Sequence, residues 1–143
     1  MTDRAQTPAS AVGSAAATIA AVLVGGFLGT GLRLGADLLV PVPDDVIPIS
    51  TLTVNLLGSL LLGVAVARVW PAVPGWVRGG LGTGLLGSFT TFSAVVLVAS
   101  RFTVDGDPML AIAYLLVSVV GGLGAAGLGL GLARRPEPMG PEE

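Results

Sequence analysis

Residues 79–100 read GGLGTGLLGSFTTFSAVVLVAS, 22 positions without a charge. A helix needs about 20 apolar residues to cross a bilayer, so the stretch is long enough to span one. Its centre, Gly87-Ser88-Phe89-Thr90-Thr91-Phe92-Ser93, is nevertheless poor material for a continuous helix. Glycine loses the most backbone freedom on ordering, and Ser and Thr hydroxyls compete for backbone partners. A break at that depth frees carbonyl groups, which a membrane tolerates only where protein buries them or an ion takes them up. The segment therefore predicts a membrane helix broken near its centre.

Working outward, three more uncharged runs cover residues 5–32, 46–67 and 109–133. Pro41, Pro43 and Pro48 fall in the first connection, Pro71 and Pro74 in the second, and Pro108 opens the last run. The expected fold is an all-α integral membrane protein of four transmembrane helices, the third broken, with connections short enough to make successive helices antiparallel neighbours. A signal peptide competes for the N-terminus because Arg4 precedes an alanine-rich run, but that run is too long and continues into a patterned glycine segment. Residues 1–14 are accordingly expected to form a flexible tail. Helix one then starts near Ala15, the four-helix transmembrane domain covers 15–133, and 134–143, rich in Pro and Glu, is a disordered tail.

Composition agrees with that reading. Of 143 residues 52% are hydrophobic and 11% charged, about half the usual charged share, and mean hydropathy is +0.87. There is no lysine, and the net charge is -2, so no basic surface exists for nucleic acid. Without histidine or cysteine, disulfides, thiolate nucleophiles, zinc sites and imidazole catalysis are excluded. No Gly-x-x-x-x-Gly-Lys motif is present to hold a nucleotide. The chain does not read as an enzyme. Arg4, Arg68, Arg78, Arg134 and Arg135 fall on one side, Arg33 and Arg101 on the other with most of the aspartates, which places both termini in the cytoplasm.

Three small-residue pairs, Gly25-x-x-x-Gly29, Gly80-x-x-x-Gly84 and Gly127-x-x-x-Gly131, predict close helix packing and an oligomer. The interiors of helices two to four hold no Asp, Glu, Lys or Arg, so neither a proton-loading carboxylate nor an acidic cation ring is available. A small multidrug exporter fits by size but lacks the helix-one carboxylate. What the interior does hold is neutral: Asn55, the sole asparagine, Ser59, the Ser88/Thr90/Thr91/Ser93 cluster, and Tyr114 with Ser118 one helical turn on. Amide and hydroxyl groups donate to an anion without trapping it, and the ring edge of Phe92 carries the positive part of its quadrupole. Freed carbonyls at the break suit a hard cation such as Na⁺. The alternatives are an interhelical hydrogen bond for Asn55, an interfacial anchor for Tyr114, and a helix with back-bonded hydroxyls and a packed Phe at the break.

These signals coincide with a family pattern. Gly25-Gly26-x-x-Gly29-x-x-x-Arg33, Thr51-x-x-x-Asn55-x-x-Gly58-Ser59-x-x-x-Gly63 and Gly84-x-x-Gly87-x-x-Thr90-Thr91-Phe92-Ser93 resemble the Fluc (CrcB) fluoride channels, from about Gly25 through Ser118. The resemblance implies a dual-topology dimer of antiparallel four-helix subunits in the cell membrane, with two fluoride pores and a structural Na⁺ held by backbone carbonyls at the breaks, here those of Gly87 and Thr90. It implies that Asn55, Thr91, Phe92, Ser93, Tyr114 and Ser118 line the pore and that Arg33 stands at the vestibule, a snorkelling interfacial arginine being the other reading.

The pattern is incomplete. The family usually continues Thr-Thr-Phe-Ser-Thr-Phe with an acid three positions later; this chain has Val95 for the second Phe and Val98 for the acid, Ser88 for a glycine, and Leu34 for an aromatic. The expected function is passive export of cytoplasmic fluoride. Half the aromatic lining being absent, and the arginine bias being definite, the chain reads as one half of a heterodimer with a paralogous subunit. An active homodimer that tolerates Val95 is the alternative, and a non-conducting structural subunit that scaffolds a diverged paralogue is the reading from another class.

Overall fold

The computed structural model describes residues 8–39 and 48–134. Those residues are helical almost throughout: α1 (Pro8–Leu39), α2 (Ile49–Val64), α3 (Gly75–Gly79), α4 (Gly87–Phe89), α5 (Phe92–Val104) and α6 (Pro108–Ala133). They fall into four spans long and apolar enough to cross a membrane, Val12–Leu39, Ile49–Ala72, Gly75–Val104 and Pro108–Ala133. Large apolar side chains such as Phe27, Leu39 and Leu132 face outward, as expected where lipid or another apolar surface replaces water.

Helix one starts earlier than expected and ends later than its uncharged run. It begins at Pro8 rather than near Ala15, because proline at a helix start forfeits an N–H that has no partner there and the following residues are alanine-rich. It continues past Arg33 to Leu39 because Arg33 and Asp37, four residues apart, form an ion pair at 3.0 Å. Residues 1–7 and 135–143, expected to be tails, lie outside the described residues, as does the connection 40–47.

The lateral arrangement departs from the expectation that successive helices are nearest neighbours. The third and fourth spans do pack together through α5 and α6, but the first and second barely touch, and the most extensive contacts join α1 to the Gly75–Phe89 part of the third span, and α2 to α6. These are parallel pairs, and glycine decides both. A Cβ on Gly25 would collide with the Gly80 carbonyl, and one on Gly29 with the Leu85 carbonyl. Likewise a Cβ on Gly63 would strike the carbonyl of Ala126, and one on Gly129 that of Leu60. Backbone lies against backbone at all four points, which gives dispersion contact where lipid supplies no hydrophobic drive. The Gly25/Gly29 and Gly80/Gly84 pairs thus pack on each other. The third expected pair does not: nothing lies within 4 Å of a Cβ on Gly127 or Gly131, and Gly129, on another face of α6, makes the contact instead.

Two stretches, Ala65–Val69 and Gly80–Leu86, are wound more widely than an α-helix, with π-type turns. The second leads directly into the segment that opened the sequence reading.

Candidate functional site

After α4 the chain leaves helical geometry. Thr90 has φ -85 and ψ 146, Thr91 φ -143 and ψ 119, both extended. Thr90 closes the preceding turn, since its N–H and its hydroxyl both donate to the Leu86 carbonyl at 2.9 Å. Thr91 starts the next helix as an N-cap, its Oγ1 accepting from the Ala94 N–H at 3.3 Å. Ser93 joins it, with Oγ 2.8 Å from Thr91 Oγ1. Gly58 on α2 makes room for the kinked segment, because a Cβ there would overlap the Thr90 methyl.

Asn55 holds the extended pair in place from α2. Its Oδ1 accepts from the Thr91 N–H at 2.9 Å and its Nδ2 donates to the Thr91 carbonyl at 3.0 Å. One primary amide thus satisfies both backbone groups of one residue, as a neighbouring strand would. This is the interhelical hydrogen bond that stood as the alternative for Asn55, doubled. One N–H of the amide remains for another acceptor.

The diversion of two amides has a second result. In an unbroken helix the Thr91 and Ala94 N–H groups would donate to the carbonyls of Gly87 and Thr90. Here they go to Asn55 Oδ1 and Thr91 Oγ1. The carbonyls of Gly87 and Thr90, the two residues expected to hold a cation, are thus among those that lose a helical donor at the break. No group of His, Cys, Asp or Glu side chains that could bind a metal occurs among the described residues, so a cation at this break would rest on backbone oxygen.

Beside the break lies a cavity of about 180 Å³ lined by Asn55, Ser59, Thr90, Thr91, Phe92, Val95, Ser118 and Gly122. Its polar wall is neutral. The Ser118 hydroxyl is buried with no protein partner, an arrangement that costs free energy unless another group fills the valence. Phe92 is 66% exposed, whereas Val95, one turn on, is 2% exposed. The position where the family pattern has its second Phe is therefore inside this subunit, bordering the cavity, and Phe92 is the aromatic that reaches its surface.

Tyr114 and Arg33 are placed elsewhere, toward the end where helix one finishes. Tyr114 is 5% exposed; its hydroxyl donates to the Pro48 carbonyl at 3.3 Å and its ring meets Phe102 edge-on, centroids 5.9 Å apart. Arg33 donates through Nε to Asp37 and through Nη2 to the buried Thr51 hydroxyl at 2.9 Å, while Nη1 is buried without a partner. That contact ties the first span to the second where little else joins them. Asn55, Thr91, Phe92 and Ser118 thus converge on one cavity with Thr90; Ser93 touches it through Thr91; Tyr114, Arg33 and Gly87 lie outside its lining.

Gly122 also lines the cavity, and its spacing of four from Ser118 is the signal in the sequence that points to it, whereas nothing in the sequence singles out Phe102 or the Pro48 carbonyl. Ser59 and Thr51 were in view as motif positions without a stated partner.

Comparison with known proteins bears on the same region. The family described as CrcB-like protein, Camphor Resistance (CrcB), matches residues 20–130. Three relatives bear the name fluoride-specific ion channel FluC: one from Chlorobium chlorochromatii is 41% identical over 83% of this chain and 94% of its own length, one from Pseudomonas fluorescens 42% over 81% and 96%, and FluC 3 of Streptomyces avermitilis 38% over 81% and 58%. These are channels rather than enzymes by name. With a match that takes in every lining residue of the cavity and the whole break, this chain belongs to the CrcB-like family.

Proposed function

We propose that this protein is a passive fluoride-selective channel of the cell membrane that lets cytoplasmic fluoride leave down its electrochemical gradient. The observation that carries the reading is the cavity at the break of the third span. It offers a buried, unpaired Ser118 hydroxyl, the remaining Asn55 N–H and the Ser59 hydroxyl, with no fixed charge in its lining, in a chain whose relatives are named for fluoride. Neutral donors replace part of a small anion's hydration and still release it. In acid surroundings fluoride crosses membranes as HF and dissociates in the cytoplasm; an inside-negative potential then drives the ion outward without ATP.

Na⁺ and a second subunit belong to the same proposal. The Gly87 and Thr90 carbonyls have lost their helical donors, and carbonyl oxygen suits a hard cation, which takes more ligands than two. A second subunit supplying the same pair completes such a site, which supports a dual-topology dimer. Bound Na⁺ would fix the two breaks against each other and leave the anion path to side chains.

Fluoride efflux from proteoliposomes containing this chain alone, with chloride as the control ion, tests the reading. Selective fluoride efflux is the expected result; silence from folded protein would remove the claim of autonomous conduction. One observation favours a second reading, a structural subunit paired with a diverged paralogue: only Phe92 presents an aromatic ring at the cavity, and Val95 is buried. Val95→Phe separates the two. The cavity beside Val95 gives the larger side chain somewhere to go, at a cost of about 1–3 kcal/mol for imperfect fit. A severalfold gain in flux is expected for a pore weakened by loss of its second ring, and unchanged silence for a scaffold.

A further inference from the structure

We propose that the ends of the second and fourth spans form a seat for the headgroup of an anionic phospholipid, built on Arg68 and Arg134. Arg68 lies one turn before the end of the second span, Ile49–Ala72, and donates through Nε to the Ala133 carbonyl at 2.6 Å. That carbonyl is among the last of α6, which have no helical donor and carry the negative end of the helix dipole. The bond therefore fixes the guanidinium by one edge and leaves both Nη groups for another acceptor. Arg134, the next residue, has left the helix with φ -62 and ψ 130. Two exposed arginines thus stand where the second and fourth spans end, Arg68 bonded to the residue that precedes Arg134.

The acidic side chains among the described residues are Asp37, Asp105 and Asp107, all at the other end of the bundle. The neighbouring basic residue at this end, Arg78, starts the third span and uses its Nε on the Val73 carbonyl. Trp70, two residues after Arg68, sits where an interfacial aromatic is favoured. A phosphodiester carries the acceptor oxygens that guanidinium groups bind well, and anionic lipids attract basic groups near the membrane surface. Lipid rather than free phosphate is the occupant because the seat adjoins an apolar wall of two spans. An occupied seat relieves the repulsion between Arg68 and Arg134 and holds together the α2–α6 pair, which carries Asn55, Ser59, Ser118 and Gly122.

The test is thermal melting of the full chain in neutral detergent micelles, with added phosphatidylglycerol, phosphatidylcholine or inorganic phosphate. A saturable rise of about 4 °C with phosphatidylglycerol alone is expected, reduced by at least half in Arg68→Gln and in Arg134→Gln, retained in Arg78→Gln, and lost at high salt. Arg134→Gln changes a residue beyond the helix end, so it reports on the seat even if Arg68→Gln folds poorly. Equal rises with phosphatidylcholine, an equal rise with inorganic phosphate, or loss of the effect in Arg78→Gln to the same degree as in Arg134→Gln would overturn the proposal. The readout needs no ion transport and stands apart from the channel reading.

Discussion

Asn55→Leu is expected to abolish fluoride transport and to destabilise the subunit more than any other single side-chain change at the cavity. The amide makes two hydrogen bonds to one residue, at 2.9 and 3.0 Å, and leucine, branched at the same carbon, makes neither. The Thr91 N–H and carbonyl are then left without partners in the middle of a membrane span, where water is scarce. Each orphaned group costs roughly 1–3 kcal/mol, so about 2–6 kcal/mol is lost in total. Freed from Asn55, the Thr91 N–H turns back toward the Gly87 carbonyl. That removes one of the carbonyls the break releases and swings Thr91 and Phe92 relative to Ser118. Asn55→Asp separates holding from lining. A carboxylate still accepts from the Thr91 N–H and cannot donate to its carbonyl, and it places a negative charge on the cavity wall. It is expected to keep more of the stability than leucine and to conduct no better. Unfolding by a denaturing detergent and efflux from proteoliposomes read the two effects. An Asn55→Leu protein that conducts normally would show that the extended pair needs no brace.

That prediction rests on a partnership visible in the sequence only in part. Asn55 and the Gly87–Ser93 segment each stood out, one as the sole asparagine in the chain and the other as poor helix in an apolar run. Their pairing did not, because sequence spacing says nothing about which face of α2 meets the third span. Four spans were legible for the reason that hydropathy works at all: backbone in lipid must be helical, and about 20 apolar residues set the length. Side-by-side order was not legible. Short connections fix the direction of successive helices and leave their lateral neighbours to side-chain fit, and here glycine contacts join the first span to the third and the second to the fourth. Arg33 shows a similar limit. Its position near a span end predicts an interfacial charge, while the structure uses it to bind Asp37 and Thr51 and so link two spans that otherwise scarcely meet.

Gly63→Ala is expected to lower stability by about 3 kcal/mol and to eliminate most fluoride transport, whereas Gly127→Ala leaves both unchanged or slightly improved. The two substitutions add the same methyl group to glycines on helices that pack together, so propensity alone would make both mildly favourable. Position decides the difference. A Cβ on Gly63 runs into the Ala126 carbonyl and also lies 2.8 Å from the Leu130 nitrogen; one on Gly127 meets nothing within 4 Å. Backbone atoms cannot rotate aside as a side chain does, so α2 and α6 must move apart. In a membrane that separation is not resisted by a hydrophobic drive; the close dispersion contact that glycine allowed is simply forfeited. The movement reaches the cavity because Ser59 is one turn from Gly63 on α2, and Gly122 would bring a Cβ to 3.5 Å from the Ser59 hydroxyl. Parting the pair widens that gap, withdraws Ser59 and Asn55 from Ser118, and loosens the hold on Thr91 at the same time. Flux and unfolding should therefore fail together in Gly63→Ala, unlike Asn55→Asp, where they part. The matching substitution Gly129→Ala, which meets the Leu60 carbonyl from the other side of the same contact, should reproduce the loss. If Gly63→Ala and Gly127→Ala melt and conduct alike, the α2–α6 contact is not what positions the cavity.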